Sequence, residues 1–143
     1  MNINIIRCHK EHFDALTDIW EHSVRATHDF LSETDIRSIR LELATDYFPN
    51  VDIYGITEDE ILVGFIGIRD DMIEMLFIDN FYFGKGYGSL LIEHALRKGA
   101  IKVDVNEQNK SALMFYRAKG FNITGKDETD EAGRSYPILH LSL

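Results

Sequence analysis

The sequence is poor in residues that cross-link or stiffen a chain: it holds one cysteine, Cys8, and two prolines, Pro49 and Pro137, in 143 residues. A lone thiol makes no intrachain disulfide. It suits a reducing compartment and the role of a small buried hydrophobe, so a cytoplasmic location is expected. Few prolines, with 45% hydrophobic and 11% aromatic residues, argue against disorder or a fibrous repeat. Long apolar runs are also missing. The longest stretch without Asp, Glu, Lys or Arg is Ser135 to Leu143, far short of the roughly 18 apolar residues of a membrane span. Met1 to Lys10 lacks the basic and apolar regions of a secretory leader, and no membrane association is expected.

Positive charge is scarce as well: 15 Lys and Arg face 24 Asp and Glu, a formal charge of −9. Nucleic-acid phosphates need a basic stripe, whereas the cations here are scattered among carboxylates, so nucleic-acid binding is not expected. A cationic or amine partner suits the balance better. No metal is expected, because His22 and His28 do not share helix spacing and no cysteine pair supports them. Without a repeat, low-complexity tract or linker, residues 1–143 read as one domain, long enough to bury its own core.

Periodicity sets the element order. Isoleucine-rich Asn2 to Cys8 reads as a strand, and Phe13, Leu16, Trp20 and Val24 follow at helical steps over about Glu11 to Ala26. Ser32 and Asp35 are spaced as a capping box for a second helix carrying Ile36, Ile39, Leu43 and Tyr47, until Pro49 stops it. Three β-prone runs, Val51 to Thr57, Ile61 to Arg69 and Met72 to Asp79, are separated by acidic clusters, as in an antiparallel meander. A glycine cluster then opens a helix ending near Gly99. Ile101 to Val105 is a strand, Asn109 to Lys119 a helix, and Phe121 to Thr124 and Tyr136 to Leu141 a last pair of strands. The order β-α-α-β-β-β-α-β-α-β-β is an α/β (α+β) fold, a mixed sheet flanked by helices.

The segment Phe77 to Leu91 carries Gly84, Gly86 and Gly88 in a strand-to-loop-to-helix passage. Alternating glycines let the backbone turn its amides outward, and the orphan amides of a helix's first turn add partial positive charge. Such a turn holds a diphosphate without many lysines; a tight turn that binds nothing is the plain alternative. A Walker loop is excluded because Tyr87 follows Gly86, and the dinucleotide fingerprint by Ser89 and the meander upstream.

Together with this turn, Asn106 to Phe121 closely resembles the acetyl-CoA-binding half of the GNAT superfamily of N-acetyltransferases. The family's turn Arg/Gln-x-x-Gly-x-Gly/Ala has Gly86 and Gly88 at its glycine positions, and its Asn-x-x-Ala-x-x-x-Tyr-x-x-x-Gly-Phe pattern is met by Asn109, Ala112, Tyr116, Gly120 and Phe121. Phe83 departs from the pattern, standing where Arg or Gln opens the turn.

The resemblance implies a mostly antiparallel sheet and transfer of acetyl from acetyl-CoA to a primary amine. Gly84, Lys85, Gly86, Tyr87, Gly88 and Ser89 would cradle the pyrophosphate, with Lys85 supplying the charge that Phe83 does not. Backbone groups of Leu76, Phe77 and Ile78 would hold the pantetheine arm and thioester carbonyl, and Asn109, also a sensible helix N-cap, would bond the arm. Tyr116, a protonated phenol at neutral pH, would donate to the leaving thiolate; a core aromatic is its ordinary reading. Trp20 to Leu31 is similar to a stretch of bacterial members credited with peptidyl-lysine acetylation, as are Leu76 to Asp79, Val105 to Asn109 and Tyr136-Pro137, which makes Ser23, His28 and Phe30 acceptor-site candidates.

Glu74 is singled out by its own position. A carboxylate inside apolar Met72 to Ile78 is costly unless it faces a cleft or partner, where burial raises its pKa toward that of a general base. An outward charge at a sheet edge, and ordered water as the base, are the alternatives. Three functions stay open: acetylation of a protein lysine, acetylation of a small amine such as a polyamine or antibiotic, and non-catalytic acyl-CoA binding. Either a monomer or a homodimer is compatible, since an edge strand such as Tyr136 to Leu141 could pair with a second chain or stay solvated.

Overall fold

The computed structural model describes residues Met1–Leu143. Strand β1 (Ile3–Cys8) leads to helices α1 (Phe13–Thr27) and α2 (Glu33–Glu42), and β2 (Asp52–Glu58), β3 (Ile61–Arg69) and β4 (Met72–Ile78) form the meander. Helix α3 (Tyr87–Arg97), β5 (Lys102–Asn106), α4 (Lys110–Ala118), β6 (Asn122–Asp127) and β7 (Ile138–Ser142) complete the chain in the expected order. Ser32 caps α2 by accepting from the Asp35 N–H at 3.1 Å. The glycine-turn passage is less direct than expected, because a short 3₁₀ turn, Asn80–Tyr82, intervenes between β4 and the glycines.

One sheet orders the strands β1-β2-β3-β4-β5-β7-β6. Every neighbouring pair is antiparallel except β4 and β5, joined in parallel by the α3 crossover. Tyr136 to Leu141 was expected at an edge, but β7 lies inside, between β5 and β6, and the edges are β1 and β6. Only long-range pairing decides this. Helices α3 and α4 cover one face over a core containing Ile66, Leu91, Val103, Tyr116 and Phe121. Trp20, Ile36, Phe48 and Phe65 belong to a second core on the α1/α2 face.

Two irregularities make room for a site. Strand β4 carries one residue too many: Gly67 pairs with Met75 and Ile68 with Ile73, leaving Glu74 as a bulge. Ile73, Leu76 and Ile78 therefore pack toward α3 and α4, while Met75 and Phe77 pack toward α1 and α2. Strands β4 and β5 pair only at Met72 with Lys102 and Ile73 with Val103, and then separate. Beyond Ile73, the β4 edge that faces β5 has no strand partner.

Candidate active site

The gap between β4 and β5 is a cleft of about 700 Å³ with Ile73 to Ile78 on one wall and Val103 to Asn106 with Tyr116 on the other. Gly84, Gly86, Tyr87, Gly88 and Ser89 stand at one end, and Ser23, Thr27 and His28 of the α1 end close over it. The fold thus brings Glu74, Leu76, Phe77, Ile78, Asn109 and Tyr116 into one cavity with these residues. Lys85 and Phe30 do not line it.

Gly84 and Gly86 adopt φ of 78° and 81°, a left-handed backbone that a side chain disfavours. Gly86 is the N-cap of α3, so the first-turn amides at Tyr87, Gly88 and Ser89 lack helical acceptors and meet the cleft. The Tyr87 ring itself is buried in the core. Lys85 corrects the sequence expectation: its Nζ lies 3.1 Å from Glu58 Oε1, away from the cleft and beside a carboxylate on β2. Phe83 lines the cleft. No lysine or arginine does, so the polar groups lining this end are amides and hydroxyls at a helix N-terminus.

Tyr116 is buried at 6% exposure with the Phe115 and Phe121 rings packed edge-on at 5.3 Å and 5.7 Å. Burial pushes its phenol well above the ordinary tyrosine value, so the group is a proton donor throughout the neutral range.

Glu74 is no edge residue, since β4 lies between β3 and β5. Arg69 Nη2 approaches its Oε1 at 2.9 Å but is not aligned for a hydrogen bond, and that buried oxygen has no hydrogen-bond partner. Burial raises the Glu74 pKa above the ordinary carboxylate range, with Arg69 opposing the shift. The bulge also gives Glu74 access to both faces of the sheet. It lines the cleft and a second cavity of about 390 Å³ between the sheet and α1/α2, whose walls include Trp20, Tyr47, Met75, Asp104 and Glu131. Sequence reading missed this cavity. Asp104, between buried Val103 and Val105, carried the signal of a strand alternating between faces.

Of the acceptor candidates, Ser23 is buried and lines the cleft. His28 bonds Asn109 across it, with His28 Nε2 3.2 Å from Asn109 Nδ2. Desolvation lowers the His28 pKa to about 4. Phe30 lies outside both cavities, its ring 5.2 Å from that of His28 and 6.1 Å from that of Tyr136. Asn109 caps α4 by accepting from the Ala112 N–H at 3.2 Å.

Comparison with known proteins identifies the family. Residues 17–137 match the acetyltransferase (GNAT) domain model. The chain is 41% identical over 143 residues to the peptidyl-lysine N-acetyltransferase YjaB of Salmonella typhimurium, covering 99% of this chain and 98% of that protein. The solution structure of apo-form YjaB from Escherichia coli superimposes with a TM-score of 0.89 at 38% identity, covering 99% of this chain and 97% of that one. At 22% identity, the PaiA N-acetyltransferase of Thermoplasma acidophilum, crystallised with coenzyme A, shares the fold with a TM-score of 0.76 and complete coverage of both chains. The chain belongs to the GNAT acetyltransferase family.

Proposed function

We propose that this enzyme transfers acetyl from acetyl-CoA to a primary amine, and that a protein lysine side chain is its acceptor. The carrying observation is the meeting, in one cleft, of the glycine-turn amides, the unpaired edge of β4 and the hydroxyl of the largely buried Tyr116. The residues fit the cofactor. Amides from Gly84 to Ser89 suit a pyrophosphate, and the free β4 edge at Leu76, Phe77 and Ile78 suits the amide-bearing pantetheine arm, which pairs with it as an added strand does. Acetyl-CoA supplies a thioester, whose carbonyl carbon takes the amine and whose sulfur leaves as a thiolate.

Tyr116 holds the proton that the sulfur needs. Glu74 takes the proton released by the attacking amine, directly or through water, its raised pKa bringing it closer to that task. The second cavity brings Asp46, Asp104, Asp130 and Glu131 to the far side of Glu74 against the single cation of Arg69, a net negative setting that suits a cationic side chain. The similarity to peptidyl-lysine N-acetyltransferases supports the acceptor class. Lone, buried Cys8 supports a cytoplasmic setting, and no helix is long and apolar enough to cross a membrane.

Release of free thiol from acetyl-CoA, measured with lysine peptides, polyamines and aminoglycosides, tests the reading. Turnover with peptides is expected. Turnover with small amines alone would replace the acceptor class, and binding without turnover would make the chain an acyl-CoA-binding module.

A further inference from the structure

Five groups form one hydrogen-bonded chain across the cleft, and its polarity is fixed from both ends. At one end the Thr27 hydroxyl lies 2.9 Å from the backbone carbonyl of Ser23, which can only accept. The single hydroxyl proton is therefore spent there, and Thr27 Oγ1 can only accept from His28 Nδ1, 2.7 Å away. The proton of the neutral imidazole sits on Nδ1, and Nε2 is left with a lone pair. At the other end the Ala112 N–H can only donate, and it does so to Asn109 Oδ1. That contact assigns the other branch of the carboxamide, Nδ2, as the donor facing His28 Nε2. The two assignments, made independently from two backbone groups, agree at the His28 to Asn109 contact. A rotated carboxamide or the other imidazole tautomer would leave two contacts of like polarity.

The chain spans the place where the sheet is open. His28 follows α1, Asn109 begins α4, and between the strands beneath them only Met72 with Lys102 and Ile73 with Val103 are paired. Burial keeps the imidazole neutral, its pKa lowered to about 4 despite the neighbouring Asp29, so the acceptor lone pair persists at neutral pH. Asn109 has two N–H donors. One is committed to His28, and the other has no partner within the protein.

Resting on the cofactor reading above, we propose that His28 is a positioning residue for acetyl-CoA. It fixes the Asn109 carboxamide in the orientation that caps α4 and keeps one N–H free for a carbonyl of the pantetheine arm. His28, expected from sequence on the acceptor side, then governs cofactor affinity through Asn109.

Calorimetric titration of the whole protein with CoA tests this. His28→Leu, which removes the acceptor, is expected to weaken CoA binding about tenfold, the scale of one lost hydrogen bond. His28→Gln, whose side-chain oxygen can accept at the Nε2 position, is expected to stay within about threefold of wild type. Equal affinity for His28→Leu and wild type, or equal weakening by Leu and Gln, would overturn the proposal while leaving the cofactor reading intact. A wild-type protein that gives no heat with CoA removes that reading and this proposal together. The imidazole nitrogen shifts of ¹⁵N-labelled wild type supply a readout independent of any variant's folding: a neutral Nδ1–H tautomer at pH 7 is expected, and an Nε2–H tautomer or an imidazolium overturns the assignment.

Discussion

Lys85 Nζ sits 3.1 Å and 3.3 Å from the two carboxylate oxygens of Glu58, with the Tyr82 ring centroid 5.2 Å away. The cation in the glycine turn is thus turned toward β2. Lys85→Ala is expected to change CoA affinity by less than about twofold, because the cation reaches Glu58 on β2 rather than the cleft. Phe83→Arg restores a cation at the opening of the turn. It is expected to tighten CoA binding by about tenfold at low salt and to make the affinity fall with added salt. Titrations at two salt concentrations check both.

Tyr116→Phe deletes the hydroxyl and keeps the ring that packs between Phe115 and Phe121. A loss in kcat of about 10²-fold or more is expected, the scale of one general acid, with CoA affinity nearly unchanged. Because burial raises the phenol's pKa, the alkaline limb of kcat should not arise from Tyr116 near the ordinary value of about 10. Stopped-rate thiol assays over pH, with calorimetry alongside, separate these effects.

Glu74→Gln is expected to lower kcat/KM at neutral pH and to remove an acid limb lying above the ordinary carboxylate range. The sign for stability runs the other way. A carboxyl whose folded pKa is raised contributes stability when protonated and loses that contribution as pH rises through the folded value. At neutral pH the ionised form is a burden only partly relieved by Arg69, so Glu74→Gln should melt no lower than wild type. Activity and melting curves on the same samples test the pairing of these outcomes.

His140 bridges two carboxylates, with Nδ1 2.7 Å from Asp104 and Nε2 2.9 Å from Asp127, which raises its pKa against a smaller desolvation effect. A raised folded pKa gives stability that is complete below the unfolded value of about 6.5 and lost as pH rises through the folded value. Wild type should therefore lose more of its thermal midpoint than His140→Gln between pH 5.5 and 8.5. Parallel slopes would exclude the bridge as a contributor.

Phe121, 1% exposed, packs against the Tyr116 ring in the α3/α4 core. Phe121→Ala should cost about 3–5 kcal/mol, the range for emptying a packed aromatic site. Denaturant unfolding measures it.

Much of this arrangement was written locally. The periods of 3.6 and 2 placed the strands and helices, because each element buries one face. The glycines at 84 and 86 announced a turn, and Asn109 announced both a cap and a pattern. Other features were set by pairing between distant strands. The interior place of β7, the bulge at Glu74 and the second cavity depend on which strand edges meet, and no local period encodes that. Lys85 looked free in sequence because its partner, Glu58, is 27 positions away.

By itself, then, the sequence determined the order of elements, the glycine turn ahead of α3 and the residue types able to move a proton, all properties of short-range sterics and periodicity. The tertiary structure decided which of those residues share a cavity. It turned Lys85 away, opened Glu74 to both faces of the sheet, buried Tyr116, and joined His28 to Asn109 across a gap in the sheet. Those outcomes depend on burial and on hydrogen-bond partners from distant parts of the chain.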